Sequence, residues 1–294
     1  MRTVVVLVFL LQVVLVWTSP APSPFWENFI QEDETEADEG LTEQLMEIGE
    51  SLFGMPKTES GDAVSRWSPE MDLNPEELGE YAQGDLLIPA TSEREARNGL
   101  KAASTHWPKG IVPYEISPYF NQRDQSMINE AIAEYRKLTC VKWVPRTGSE
   151  RDYVYITNSN TGCWSSVGRI GGRQELNLQS PGCLTKKGTV MHEMMHAIGF
   201  LHEQNRWERD KHVTVNYQNI QSGRENNFEK AKKKETDNQG VAYDYRSVMH
   251  YSANAFSRNG QPTIVPKTRG VTLGQRENLS RKDVQKIRHM YKCK

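Results

Sequence analysis

The chain has 294 residues, four cysteines and a formal net charge of −2, from 36 Lys+Arg against 38 Asp+Glu. The balance hides a division: residues 98–294 hold 31 Lys+Arg and 18 Asp+Glu, while acids crowd the stretch from Glu27 to Glu50. The basic part carries no nucleic-acid-binding motif, and nothing after the N-terminal apolar run is long enough to span a bilayer, so nucleic-acid and membrane-embedded functions are set aside.

Met1-Arg2, an apolar run from Val4 to Trp17 and the small-residue exit Thr18-Ser19-Pro20-Ala21 read as a secretory signal peptide over 1–20. The protein is therefore expected outside the cell. Residues 21–97 are rich in acids, Pro and Gly, with a short helical stretch at Leu41–Leu52, and read as an acidic pro-segment attracted to a basic partner domain. Its end, Thr91 to Arg97, is polar and open to nicking, and Arg94 and Arg97 suit a trypsin-like activating protease.

The remaining residues, 98–294, suit one domain with a sizeable core. Gly110–Ile116 reads as a strand, which Pro113 assigns to a sheet edge. Asp124–Leu138 reads as a helix with Ile128, Ala131, Ile132 and Tyr135 on one stripe. Val141–Val144 and Asp152–Thr157 read as strands, and Glu175–Leu178 alternates as a half-exposed strand does. A helix is expected over Thr185–Ile198, mostly irregular chain between Val213 and Thr272, and a last helix capped by Ser280 and Asp283 and running through Tyr291.

Cys140, Cys163, Cys183 and Cys293 in a secreted chain imply two disulfides, with three possible pairings. Cys163 and Cys183 bracket a Gly- and Ser-rich loop; Cys140 and Cys293 would then tie an early helix to the C-terminus. Asn278-Leu279-Ser280 is a glycosylation sequon.

The chemistry concentrates in His192-Glu193-Met194-Met195-His196-Ala197-Ile198-Gly199-Phe200-Leu201-His202. Four residues apart on a helix, His192 and His196 share a face and can hold one metal ion. Gly199 lets the chain turn, which can bring His202 back as a third nitrogen. Three imidazoles with an open position form a catalytic zinc site, and Glu193 beside the first ligand suits a general base. An amphipathic core helix is the plainer reading, but Ala197, Ile198, Phe200 and Leu201 already supply its apolar surface. The cysteines lack the paired spacing of a structural zinc site.

This run, with Phe200 and the following Glu203, resembles the astacin family of metzincin zinc endopeptidases. Ser247-Val248-Met249-His250-Tyr251 resembles that family's Met-turn. Further matches are Trp107 with Ile111-Val112-Pro113-Tyr114, Cys163-Trp164-Ser165, Gly274-Gln275-Arg276 and Tyr291-Lys292-Cys293. The resemblance implies an α+β protease of two subdomains, with a twisted sheet, a zinc helix in a deep cleft and a mostly irregular C-terminal part. It implies one zinc ion on His192, His196 and His202, Met249 beneath the ligands, and Tyr251 stabilising the oxyanion. It also implies a mature N-terminus at Asn98 that links to Glu203, and substrate contacts from Trp164 and Arg276. Basic residues at the position of Arg276 would favour an acid after the scissile bond; the alternative is a surface arginine.

Gln83-Gly84-Asp85 resembles the end of the family's zymogen switch, in which the aspartate occupies the zinc. Here Ala82 stands at the aromatic position, with Tyr81 beside it, and a simple turn is the alternative. The strand Glu175–Leu178 is expected to pair with extended substrate as a sheet edge. The expected partners are protein or peptide substrates and an activating protease, for a monomer. Rival functions are a gluzincin-type protease, which His202 and Met249 argue against, a secreted binding protein on an inactive protease scaffold, which the presence of Glu193 argues against, and an extracellular structural protein, which the zinc constellation makes unnecessary.

Overall fold

The computed structural model describes residues 55–87, 105–231 and 238–294, which all belong to one unit spanning Leu45–Lys294. The expected signal peptide, the acidic run, the helix at 41–52 and the cleavage linker with Arg94, Arg97 and Asn98 lie outside the described residues.

Helix α1 (Thr58–Ser65) and two short 3-10 turns precede the upper subdomain. There a five-stranded sheet holds β1 (Ile111–Ile116), β2 (Lys142–Pro145), β3 (Tyr153–Thr157), β4 (Cys163–Ser165) and β5 (Arg173–Leu178) in the order β2-β1-β3-β5-β4. Only β4 runs antiparallel, against β5. Helix α2 (Gln122–Leu138) starts where the Asn121 side chain accepts from the Asp124 amide, and its predicted stripe is buried. Helix α3 (Lys187–Ala197) is buried along almost its whole length. The Tyr135 hydroxyl joins the two helices by donating to the Met191 carbonyl at 2.7 Å. At the end of α3, the Trp107 indole and the Tyr291 hydroxyl donate to the carbonyls of Ala197 and Ile198, each at 2.8 Å, so these helix-end acceptors are satisfied.

Two strand expectations change. Pro113 is not at an edge, because β1 lies between β2 and β3. The proline is tolerated because pairing with β3 begins only at Tyr114, one residue further on. Glu175–Leu178 is not an edge either: β5 pairs with β3 on one side and β4 on the other, and Leu176, Asn177 and Leu178 are buried. The edge strand on that side is β4, too short to give an alternating pattern, and β2 forms the other edge.

Below the cleft the chain is largely irregular, as expected, but β6 (Val213–Val215) and β7 (Ile264–Pro266) pair antiparallel there. They help form a second core that includes Phe228, Tyr243, Tyr251 and Phe256. Helix α4 (Arg281–Met290) opens with the predicted Ser280–Asp283 capping box. The disulfides are Cys140–Cys293 and Cys163–Cys183. The first closes a separation of 153 residues, so replacing both its cysteines by serine is expected to lower unfolding free energy by about 4–5 kcal/mol, against about 3 kcal/mol for the shorter loop. Denaturant titration of the two variants checks the order.

Candidate metal centre

Helix α3 places His192 and His196 one turn apart, and Gly199, at φ +107°, turns the chain so that His202 returns to the same point. The Nε2 atoms of His196 and His202 lie 3.1 and 3.3 Å from that of His192. All three rings are buried. Their other nitrogens are engaged: His192 Nδ1 with the Val248 carbonyl (2.7 Å), His196 Nδ1 with the Phe200 carbonyl (2.7 Å), and His202 Nδ1 with Gln83 Oε1 (3.0 Å). Each of these oxygens is an acceptor, so each Nδ1 carries the proton and each Nε2 presents a lone pair. Three converging lone pairs at this spacing repel unless a cation lies among them. Ligands ~2.05 Å from a tetrahedral zinc ion stand roughly 3.3 Å apart, so the donor set fits zinc. Burial lowers the pKa of His192 well below its usual value and that of His202 to about 4, which keeps both in the neutral, ligating form.

The fourth member of the cluster is Asp85, from the chain that precedes the upper subdomain. Its Oδ2 lies 2.8 Å from His192 Nε2, 3.2 Å from His202 Nε2 and 3.5 Å from His196 Nε2. Burial alone would raise this carboxyl; its close approach to His202, His196 and His192 outweighs that and holds it well below the usual range. Asp85 follows a tight turn in which Gln83 and Gly84 both have positive φ. The turn reading and the switch reading thus describe the same residues. Tyr81, next to Ala82 at the family's aromatic position, is buried, and its hydroxyl donates to the Thr161 carbonyl at 2.6 Å. Beyond Asp85 the segment runs parallel along edge strand β4, with Leu87 donating to the Ser165 carbonyl at 3.0 Å.

Glu193 is buried next to His192, and neither of its carboxylate oxygens has a hydrogen-bond partner. Burial raises it well above the usual carboxylate range, with Asp85 and Glu76 adding to the effect. Met249 is buried in the same core as α3, and its carbonyl accepts from the Glu203 amide at 3.0 Å. The Tyr251 hydroxyl donates to the Gln83 carbonyl at 2.5 Å, and the ring lies 4.7 Å from that of His202. Trp164 is buried, 6.0 Å ring to ring from Tyr81, and donates to Thr161 Oγ1 at 3.0 Å. Asn278 is exposed, two residues before the cap of α4.

Glu203 meets Lys286 at 2.6 Å, Arg206 at 2.9 Å and the Asp244 amide at 2.7 Å. Burial would raise its pKa, but Lys286 and then Arg206 reverse the effect. A cavity of about 60 Å³ adjoins it, lined in part by Met195, Gly199, Met249 and Met290.

Arg276 is not a surface residue: its side chain is fully buried, and its Nε lies 2.5 Å from Glu76 Oε1. Glu76 is pushed up to about 7 by burial, against the pull of Arg276, and its Oε2 has no hydrogen-bond partner. The Arg276 backbone packs on α3 at Gly188, where an added Cβ would fall 2.0 Å from the Arg276 carbonyl carbon. Gly188→Ala is therefore expected to cost about 1–3 kcal/mol of stability through overpacking, read as a lower thermal midpoint.

Several residues with a place in the site were not legible as site residues along the sequence. Asp283 was legible as a helix cap, yet it also accepts from Ser247 Oγ (2.6 Å) and the Val248 amide (2.8 Å), fixing the Met-turn. Gln204 accepts from the Tyr251 amide at 3.0 Å. Lys286, the partner of Glu203, sits on a helix that reads as amphipathic, where a lysine ordinarily faces solvent. For Glu76 and Glu77 the Asn74-Pro75-Glu76-Glu77 capping pattern was a usable hint of a built turn.

A helix and turn presenting three histidines beneath a mixed sheet, with a methionine turn below, define a metzincin-like α+β protein. The profile of the Astacin peptidase family matches residues 99–292. Zinc metalloproteinase nas-15 of Caenorhabditis elegans is 37% identical over 279 residues, covering 91% of this chain and 48% of that protein. Zinc metalloproteinase nas-13 of the same organism is 43% identical over 197 residues, covering 67% of this chain and 43% of that protein. Among solved structures, high choriolytic enzyme 1 of the medaka fish Oryzias latipes, a hatching enzyme zinc-protease, superposes with a TM-score of 0.60 at 36% identity, covering 68% of this chain and 97% of that chain. The chain belongs to the astacin family. It spans about half the length of the curated relatives named above.

Proposed function

We propose that the chain is a secreted zinc endopeptidase made as a zymogen, with residues 98–294 as its catalytic domain. The observation that carries the reading is the convergence of three bare imidazole nitrogens with a pro-segment carboxylate in one buried cluster. His192, His196 and His202 hold the zinc, which supplies a Lewis acid for the peptide carbonyl and for water. Glu193 takes a proton from the attacking water and passes it to the leaving amine; its unpartnered oxygens leave it free for that task. The Tyr251 hydroxyl, once released from Gln83, donates to the developing oxyanion.

Asp85 would keep the enzyme latent by standing among the three imidazoles, where water and substrate must approach. A trypsin-like protease cuts after Arg97, and the new ammonium group of Asn98 reaches Glu203, which the adjacent cavity favours. Arg276, cleared of Glu76, receives an acidic substrate side chain, and Trp164 borders the substrate path. The enzyme works as a monomer and carries a glycan on Asn278. Endopeptidase activity on an unstructured protein, measured before and after trypsin treatment and with a chelator, tests the reading. Activity that appears on cutting and vanishes with chelator is expected. A correctly cut, zinc-loaded protein that hydrolyses nothing would favour a binding protein on an inactive scaffold.

A further inference from the structure

The pro-segment meets the cleft at a second place that involves no member of the histidine cluster. Residues Pro75–Leu78 form a 3-10 turn capped by Asn74, and this turn aims two consecutive acids at the wall formed by Ser252 and Gly274–Arg276. Glu76 Oε1 faces Arg276 Nε at 2.5 Å, with both side chains fully buried. Glu77 accepts from the Ser252 amide and the Ser252 hydroxyl, each at 2.6 Å. Asn74 Nδ2 donates to the Gly274 carbonyl at 3.1 Å. Gly274 is required there, since its φ is +79° and a Cβ would fall 2.5 Å from Ser252 Cα. Arg276 Nη1 donates to the His250 carbonyl at 3.1 Å, so the guanidinium is oriented from the domain side. Its Nη2 is buried without a hydrogen bond, 4.0 Å from Glu77 Oε1, which leaves room for a fuller acceptor.

We propose that Arg276, Ser252 and the Gly274 carbonyl form a docking site for acidic peptide that works without metal, and that the Glu76–Glu77 pair occupies it. The proposal rests on the reading of residues 21–97 as a removable pro-segment. An oriented, buried guanidinium and a paired amide and hydroxyl are a built receptor for two carboxylates, whereas a neutral pair would leave the arginine charge buried and uncompensated. Asp85 and this site then anchor one segment at two points, and each raises the effective concentration of the other. Cutting the linker therefore turns the segment into a separable, non-covalent inhibitor, and activity follows as both anchors give way and it leaves.

The test uses the full, uncut chain and amide hydrogen exchange, with zinc and after chelation. After chelation the parent protein and Asp85→Ala are both expected to keep slow exchange at the amides of Glu77, Gly79 and Ser252. The double variant Glu76→Ala/Glu77→Ala should lose that protection by about a hundredfold. Unchanged protection in Gln122–Leu138 excludes general unfolding. Should the double variant unfold, Glu76→Gln, which keeps the shape and drops the charge, is read in the same way, with about a tenfold loss expected. Protection that vanishes from the parent on chelation, or that survives these variants in a folded domain, overturns the proposal. Exchange needs no turnover, so a protein that hydrolyses nothing would defeat the peptidase reading and leave this result standing.

Discussion

Glu193→Ala is expected to lower turnover of the cut, zinc-loaded protein by about 10²–10⁴-fold, the range for loss of a general acid–base group. Glu193 stands next to His192 in α3, but it is not part of the metal-binding cluster, whose four members are Asp85, His192, His196 and His202. Zinc content should therefore stay at one ion per chain. Both carboxylate oxygens are buried without a donor, so no hydrogen-bond network is broken by the change. Burial and the neighbouring Asp85 and Glu76 disfavour the ionised form. Removing that side chain relieves a cost and is expected to leave thermal stability equal or higher. The measurement is kcat/KM on an unstructured protein beside metal analysis and a melting curve. Turnover within about threefold of the parent would exclude Glu193 as the base, whereas loss of zinc would make it a structural residue.

Asp85→Ala is the second large effect. The change leaves three imidazoles and removes the carboxylate that contacts all of them within 3.5 Å. Breaking a buried charge cluster of this kind costs about 3–5 kcal/mol, or roughly two to four decades in how tightly the segment occupies the metal centre. The uncut variant is expected to hydrolyse peptide where the uncut parent does not. Its activity should stay below that of the fully cut enzyme, because Glu76 and Glu77 still hold the segment to Arg276 and Ser252. Peptide hydrolysis by chains shown by mass to be intact at Arg97 decides the matter. An uncut variant as silent as the parent, with residues 81–87 still protected from exchange, would show that Asp85 is not what blocks the site.

The metal-binding residues were legible because helix periodicity and one glycine turn place them: the spacing of His192, His196, Gly199 and His202 is local geometry written along the chain. The same holds for the α2 stripe, the Ser280–Asp283 cap and the short strands with β-branched residues. Strand order was not legible. Whether β1 or β5 lies at an edge depends on which strands arrive beside it, and a proline is read as an edge residue until a neighbouring ladder is seen to start one residue later. The weak pattern between Val213 and Thr272 likewise hid β6 and β7, which meet across a long stretch of irregular chain.

Pairings between distant charges were beyond the sequence for the same reason. Arg276 read equally well as a surface residue, because nothing local separates a solvated arginine from one buried against an acid 200 residues earlier. Lys286 and Glu203 are 83 residues apart, and each alone fits a solvated helix or loop. The sequence by itself determined the family, the three imidazoles and the carboxylate beside them, since those depend on spacings of a few residues. Only the tertiary structure decided what covers them. The occupants of the cleft are brought there by long-range packing and by the need of buried charges for partners, and neither leaves a period along the chain.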